Sequence, residues 1–347
     1  MLGILLKFIV FLLRLLPLVI LYIALYLDPG HHRLRKAGIR EKDITVGDVS
    51  FHYAESEDNS KPPILLLHAQ MLDWFSYQYV MIPLSKHFHV YALDYPGHGK
   101  TRCPDDYVLN AKQIGSSIAQ FIEEVIGRPT AISGNSSGGL LAVWLAANRP
   151  ELITKAVLED PPLFSSEYPA IKHTIAYRTF TVSGRAVRED NEGDYVRFWI
   201  KNSPDFFKNN TFPGARTFIR ILIRLYRMLH WQSIVEIPFV PVLVRELIRG
   251  MDQYDPHFGK AFYDGTWNED FDHAEALRKI RCPVLLIQAD TSFLPDGTLN
   301  GAMSEENAQF ACSRVQDVRF VKVSARHVVH LESPEEYLKH VMQFLDQ

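Results

Sequence analysis

The stretch Thr130-Ala131-Ile132-Ser133-Gly134-Asn135-Ser136-Ser137-Gly138-Gly139 holds the residues best suited to chemistry. It spells Gly-x-Ser-x-Gly at Gly134, Ser136 and Gly138. The pattern alone is weak, because glycine and serine are common. Its context gives it meaning: an apolar run precedes it, and a helical run, Leu140 to Ala147, follows. Strand, tight turn and helix make a nucleophile elbow, which lifts a serine hydroxyl above the edge of a sheet. Glycines permit the sharp turn and the close backbone approach. The N-terminus of the following helix favours negative charge on the serine oxygen. Serine is a poor nucleophile until a base takes its proton, and histidine titrates near neutrality, so it suits that task.

An elbow needs a sheet to carry it. Ile44 to Ser56 alternates in polarity around Gly47 and predicts an opening hairpin. Pro63 to Leu67 is a short, wholly apolar run of the kind found in strands buried on both faces of a parallel sheet. Similar runs recur at His89–Leu93, Thr130–Ile132, Ala156–Leu158, Val284–Ile287 and Val318–Val323. Helical segments lie between or after them, at Ala111–Ile126, Gly138–Ala147 and Pro334–Leu345. Strand alternating with helix predicts an α/β fold: a mostly parallel sheet with helices on both faces. From Pro162 to about Ile280 no such strand occurs, and helix-like runs appear at Ala215–His230 and Val242–Met251. The expected organisation is therefore an N-terminal apolar helix (1–30), a core from 44–161 and 281–347, and a helical insertion over 162–280.

With the elbow in that setting, the sequence resembles the α/β-hydrolase superfamily from Ile44 to Leu345. The tail Arg326-His327-Val328-Val329-His330-Leu331-Glu332-Ser333-Pro334 is similar to the family's segment carrying the catalytic histidine. Arg326 stands where a glycine is usual. Asp94 to Thr101 resembles the family's loop after an early strand, and His68-Ala69-Gln70-Met71 its His-Gly loop, with Ala69 in place of glycine. The resemblance implies that the insertion is a lid. It implies a serine hydrolase in which Ser136 attacks and His327 is the base; His330 is the rival, expected to be packed or hydrogen-bonded instead. In most relatives the acid lies two residues beyond a Gly-Asp pair. Here that position is Ser292, after Asp290, and a neutral hydroxyl cannot stabilise an imidazolium as a carboxylate does. Some relatives draw the acid from the end of the strand after the elbow helix, where Asp160 falls. Asp160 is favoured over Asp290, and Asp296 comes third. The oxyanion hole would use the backbone N–H groups of Ser137 and Gln70.

Other chemistries fit less well. An epoxide hydrolase or haloalkane dehalogenase of this fold would place aspartate at the elbow, not Ser136. Gly97-x-Gly99 lacks the third glycine of a dinucleotide fingerprint, and no His-Glu-x-x-His or paired cysteines suggest a metal, so no cofactor is expected. Net charge is -3, from 37 Lys+Arg and 40 Asp+Glu, which offers no basic field for nucleic acid. The three cysteines, Cys103, Cys282 and Cys312, are widely spaced and form no disulfide framework. The alternatives to an esterase are a carbon–carbon bond hydrolase of the same fold and an inactive, membrane-tethered binding protein.

Met1 to Leu27 is almost wholly apolar, broken by Lys7, Arg14 and Pro17, and Leu15 to Leu27 carries no charge. That is long enough for one membrane span, at about 20 residues. The exit Leu25-Tyr26-Leu27-Asp28-Pro29 lacks the small residues of a signal-peptide cleavage site, so an uncleaved anchor is expected. His31 to Lys42 is rich in cationic residues, which places the C-terminal part on the cytosolic side. Asn209-Asn210-Thr211 would matter as a glycosylation sequon only in the reverse orientation. Anchor and lid together point to a hydrophobic, lipid-like ester.

Overall fold

The computed structural model describes residues 11, 14–16, 29–189, 193–210, 213–230, 234–237 and 240–346. The segment read as an anchor lies almost wholly outside these residues, as does Thr211 of the sequon. Among the described residues no helix is long and apolar enough to cross a membrane.

The predicted strands form one sheet. They are β1 (Ile39–Val46), β2 (Val49–Ser56), β3 (Pro63–Leu67), β4 (His89–Asp94), β5 (Thr130–Asn135), β6 (Ile153–Glu159) and β7 (Val284–Gln288). A small ribbon of β8 (Ser292–Phe293) and β9 (Leu299–Asn300) stands apart, and β10 (Val318–Lys322) completes the main sheet. The order is β1-β2-β4-β3-β5-β6-β7-β10. β1 and β2 form the expected antiparallel hairpin, β2 also runs antiparallel to β4, and the remaining pairs are parallel.

Why the central strands are apolar throughout follows from their two faces. Successive side chains point to opposite sides. Leu65, Leu67, Ile132, Leu158 and Leu286 enter one core; Ile64, Leu66, Ala131, Val157, Leu285 and Ile287 enter the other. Helices cover both. Asn110 caps the helix Ala111–Phe121 by accepting from the Gln113 N–H at 2.8 Å. The helix Ser137–Asn148 has nearly every side chain buried, so it lacks the polar face of a surface helix. From Pro162 to Ile280 the described residues form helices and irregular chain. Ala215–Leu229 and Val242–Met251 match the sequence expectation to within a residue.

One boundary needs correction. The sequence suggests a core that begins at Ile44, but the packed structure begins earlier. A helix spans Pro29–Lys36, and β1 starts at Ile39. Leu34 and Ile39 are buried with Trp74, Phe75 and Tyr77. The His31 ring stacks on Phe75 at 3.9 Å. β1 is an edge strand, buried only at its two ends, so the charged run Arg40–Asp43 ahead of Ile44 gives no sign that the strand has begun.

Candidate active site

β5 ends at Asn135, and Ser136 turns the chain into the helix Ser137–Asn148. Ser136 has φ 56° and ψ −119°, which costs a non-glycine residue roughly 1–3 kcal/mol. The surroundings enforce it. The Ser136 N–H donates to the Glu159 carbonyl at 2.9 Å. A Cβ on Gly134 would lie 2.1 Å from the Gly138 carbonyl oxygen, and one on Gly138 would lie 2.2 Å from that of Leu67. Both glycines are therefore fixed by space, and the elbow read from the sequence is present.

The structure brings Asp160 to His327. Asp160 follows β6 with φ 44°, and its N–H donates to the Ile287 carbonyl at 2.7 Å. Its Oδ1 accepts from the Ala289 N–H at 3.2 Å, and its Oδ2 lies 2.7 Å from His327 Nδ1. The carboxylate side chain is 3% exposed and the imidazole 40% exposed, so the acid is sealed while the ring reaches solvent. Burial works against a charge on His327. The hydrogen bond and charge of Asp160 outweigh it, with Glu159 and Glu332 adding to them, and its pKa rises above the ordinary 6.5. The Asn135 amide, next to Ser136, donates to the His327 carbonyl at 3.0 Å and to that of Glu159 at 3.1 Å, tying the histidine loop to the elbow.

Asp290 is not brought to the site. It is exposed, and its carboxylate accepts from the Ser324 hydroxyl at 3.2 Å. Its N–H holds the Ala325 carbonyl at 2.9 Å, so its contribution is to the backbone of the histidine loop. Asp296 is 61% exposed and accepts from the Thr298 N–H, and Ser292 lies exposed on the small ribbon. Arg326 points outward and pairs with Glu332 at 2.8 Å, which accommodates a side chain where glycine is usual.

A family model described as "Alpha/beta hydrolase family" matches residues 64–340. The chain belongs to this family. It is 28% identical over 127 residues to human epoxide hydrolase 4, covering 36% of this chain and 34% of that protein. It is 31% identical over 114 residues to a pimeloyl-[acyl-carrier protein] methyl ester esterase from Nitrosospira multiformis, covering 33% and 43%. The chain thus spans less than half the length of these two curated relatives. A solved hydrolase from Pseudomonas aeruginosa PA01 superposes with a TM-score of 0.63 at 20% identity, over 89% of this chain and 99% of that one.

In this α/β hydrolase, residues within the quoted motifs to which the sequence assigned no role also assemble the site. Tyr95 is fully buried; its hydroxyl donates to the His68 carbonyl at 3.1 Å and accepts from the Ser137 hydroxyl at 2.9 Å. It thereby joins the loop after β3 to the start of the elbow helix, the two elements that carry Gln70 and Ser137. Burial holds His68 down to about 4, so its neutral ring donates Nδ1–H to the Ala69 carbonyl at 2.8 Å. Ser137 is the first residue of its helix, where N–H groups lack intrahelical acceptors. The Gln70 side-chain amide donates to the Tyr254 hydroxyl at 2.5 Å, from the helical interval. Ala69, Leu72, Val328 and Leu331 share a small apolar cluster, so this loop packs directly on the residue after His327.

His330, the rival base, is engaged elsewhere. Its ring and the Glu159 carboxylate are both fully buried, with Nδ1 to Oε2 at 2.8 Å, and the His330 N–H donates to Glu159 Oε1 at 2.9 Å. The ring stacks on Tyr77 at 3.9 Å. The helix Val242–Met251 clamps the opposite side of the loop: Arg249 pairs with Asp73 at 2.7 Å, both side chains under 5% exposed. A Cβ on Gly250 would meet the Met71 carbonyl at 2.1 Å.

Proposed function

We propose that this α/β hydrolase is a serine hydrolase that cleaves a carboxylic ester or related acyl bond through an acyl-enzyme. The observation that carries the reading is the contact of the buried Asp160 carboxylate with His327 Nδ1 at 2.7 Å, on a chain whose serine sits on a strained elbow. Asp160 accepts Nδ1–H and so leaves Nε2 of His327 as the basic nitrogen. Nε2 takes the Ser136 proton as Oγ attacks the acyl carbon, and the raised pKa suits it to hold that proton. The N–H groups of Ser137 and Gln70 receive the developing oxyanion, aided by the positive end of the helix Ser137–Asn148. His327 then delivers the proton to the leaving oxygen. Water repeats the sequence on the acyl-enzyme and frees Ser136.

The methyl ester esterase among the relatives supports ester chemistry. The epoxide hydrolase does not displace it, because that chemistry in this fold calls for an aspartate nucleophile where this chain has Ser136. The apolar segment Met1 to Leu27 supports a membrane tether, and the cationic run after it supports a cytosolic catalytic domain. A hydrophobic ester is the substrate class that such a location favours. The test is Ser136→Ala. It should keep its fold and lose both fluorophosphonate labelling and hydrolysis of a short acyl ester. A mutant that labels as the wild type does would refute the reading and leave a binding protein.

A further inference from the structure

The helix Ala215–Leu229 carries more apolar surface than the fold covers. Its buried stripe is Ala215, Ile219, Ile223 and Tyr226, the spacing of one helix face. Beside it Ile221, Leu225, Met228 and Leu229 are 53%, 43%, 72% and 48% exposed. At about 100° per residue these four fall within an arc of about 100°. Single exposed aliphatic residues need no explanation, but a contiguous stripe marks a contact surface. The helix contains four arginines and no acidic residue. Arg220 and Arg224, beside the stripe, are exposed and make no ion pair among the described residues.

The location of the stripe is also informative. The chain runs from Leu229 to Glu236, whose carboxylate lies 4.0 Å from the His31 imidazole. Seven residues reach at most about 25 Å. Arg227 of this helix and the Val235 N–H both hold the Asp252 carboxylate, at 2.5 and 2.9 Å, so the end of the helix is tied to the segment that reaches His31, which follows the apolar N-terminal segment with its uncharged Leu15 to Leu27. An acidic protein groove would suit the arginines alone. An anionic lipid surface suits both features, because apolar side chains enter the acyl boundary while arginines reach the phosphates.

We infer that the Ile221–Leu225–Met228–Leu229 stripe of this helix lies in the interface of an anionic phospholipid bilayer. The inference rests on the membrane half of the proposed function and not on its chemistry. It gives the helical interval a point of contact with the bilayer besides the N-terminal segment.

The test uses the full chain in vesicles of phosphatidylcholine with one quarter phosphatidylglycerol. Met228→Cys carries an environment-sensitive fluorophore, with Lys339→Cys as the control and the wild type, with its three partly buried cysteines, as the labelling background. The probe at 228 should shift to the blue and be quenched by doxyl-labelled lipid, and the probe at 339 should do neither. The triple variant Ile221→Gln/Leu225→Gln/Met228→Gln should hydrolyse a water-soluble ester at the wild-type rate. Against a vesicle-borne ester it should lose about a hundredfold, since each of the three partly exposed aliphatic side chains contributes roughly fivefold in partitioning. If the chain floats with vesicles while the 228 probe stays aqueous, the inference is overturned and the tether stands. If the chain does not float, both fall. An aqueous probe that cross-links two copies would assign the stripe to a second copy and also overturn it. Failure of the serine chemistry would leave the fluorophore result unchanged.

Discussion

Replacing Asp160 by asparagine tests the proposed triad at its acid. The carboxylate has one oxygen on the Ala289 N–H and the other on His327 Nδ1. An asparagine must present its oxygen to one of these donors and its NH₂ to the other. Facing the NH₂ to Ala289 would oppose two donors inside a sealed site, where the backbone cannot rotate away. The oxygen therefore stays on Ala289, and the NH₂ faces the ring. His327 must then accept at Nδ1, which puts its proton on Nε2, the nitrogen that should take the serine proton. The expected loss is about 10³–10⁴-fold in kcat/KM, or ~4–5.5 kcal/mol of transition-state stabilisation, with the fold intact. Asp290→Asn alters an exposed carboxylate that accepts from the Ser324 hydroxyl and leaves the Asp290 N–H on Ala325 in place, and should change kcat/KM by less than about threefold. Stopped-flow acylation with a p-nitrophenyl ester, together with the rate of fluorophosphonate labelling, measures both. A loss below about tenfold in Asp160→Asn, or a larger loss in Asp290→Asn, would refute the assignment of the acid.

Further expectations rest on the same contacts. His327 must be neutral to act and its pKa is raised, so the acid limb of kcat/KM should lie above 6.5, with activity falling as pH drops through it; in Asp160→Asn the limb should move to lower pH. His330→Ala leaves the Glu159 carboxylate buried without its partner and should cost about 3–5 kcal/mol in denaturant unfolding, with kcat falling as the histidine loop loosens. Gly138→Ala drives a methyl group into the Leu67 carbonyl and should abolish soluble expression or activity, whereas an exposed Lys339→Ala should change neither. Leu34→Ala should lower stability by about 2–4 kcal/mol, which would be absent if the folded unit began at Ile44.

What the sequence revealed was what has a local signature. The elbow has one, because Gly134 and Gly138 are demanded by backbone contacts that no other residue tolerates. The central strands have one, because burial on both faces requires unbroken apolar runs. The first half of β1 has none: an exposed edge strand is free to carry Arg40, Glu41, Lys42 and Asp43, so the alternation becomes legible only from Ile44. Tyr95 and Asn135 lie in legible motifs but their roles do not show, since a hydroxyl or amide bridging two loops depends on a meeting of distant segments that no spacing encodes. Asp160 and Asp290 both follow the ends of parallel strands, and the order of those strands in the sheet separates them.

Strand order and pairing explain how the proposed acid can stand at the end of β6. β5 and β6 are neighbours, with Asn135 opposite Glu159, so the residue after each strand emerges at one edge of the sheet. Asp160 is therefore one strand from Ser136, about 5 Å along the hydrogen-bonding direction, and Asp290 on β7 is two strands away. Glu159 and Asp160 then work as a consecutive pair. Glu159 reaches His330 and Asp160 reaches His327, and residues three apart on one loop are gripped by adjacent acids from one strand end. The β7 end keeps a supporting part, because Ala289 N–H holds the Asp160 carboxylate and Asp290 N–H holds Ala325. A neutral Ser292 at the more usual acid position is thus tolerated: the orientation of the imidazole is set from β6, and β7 has only to hold the backbone on which that orientation depends.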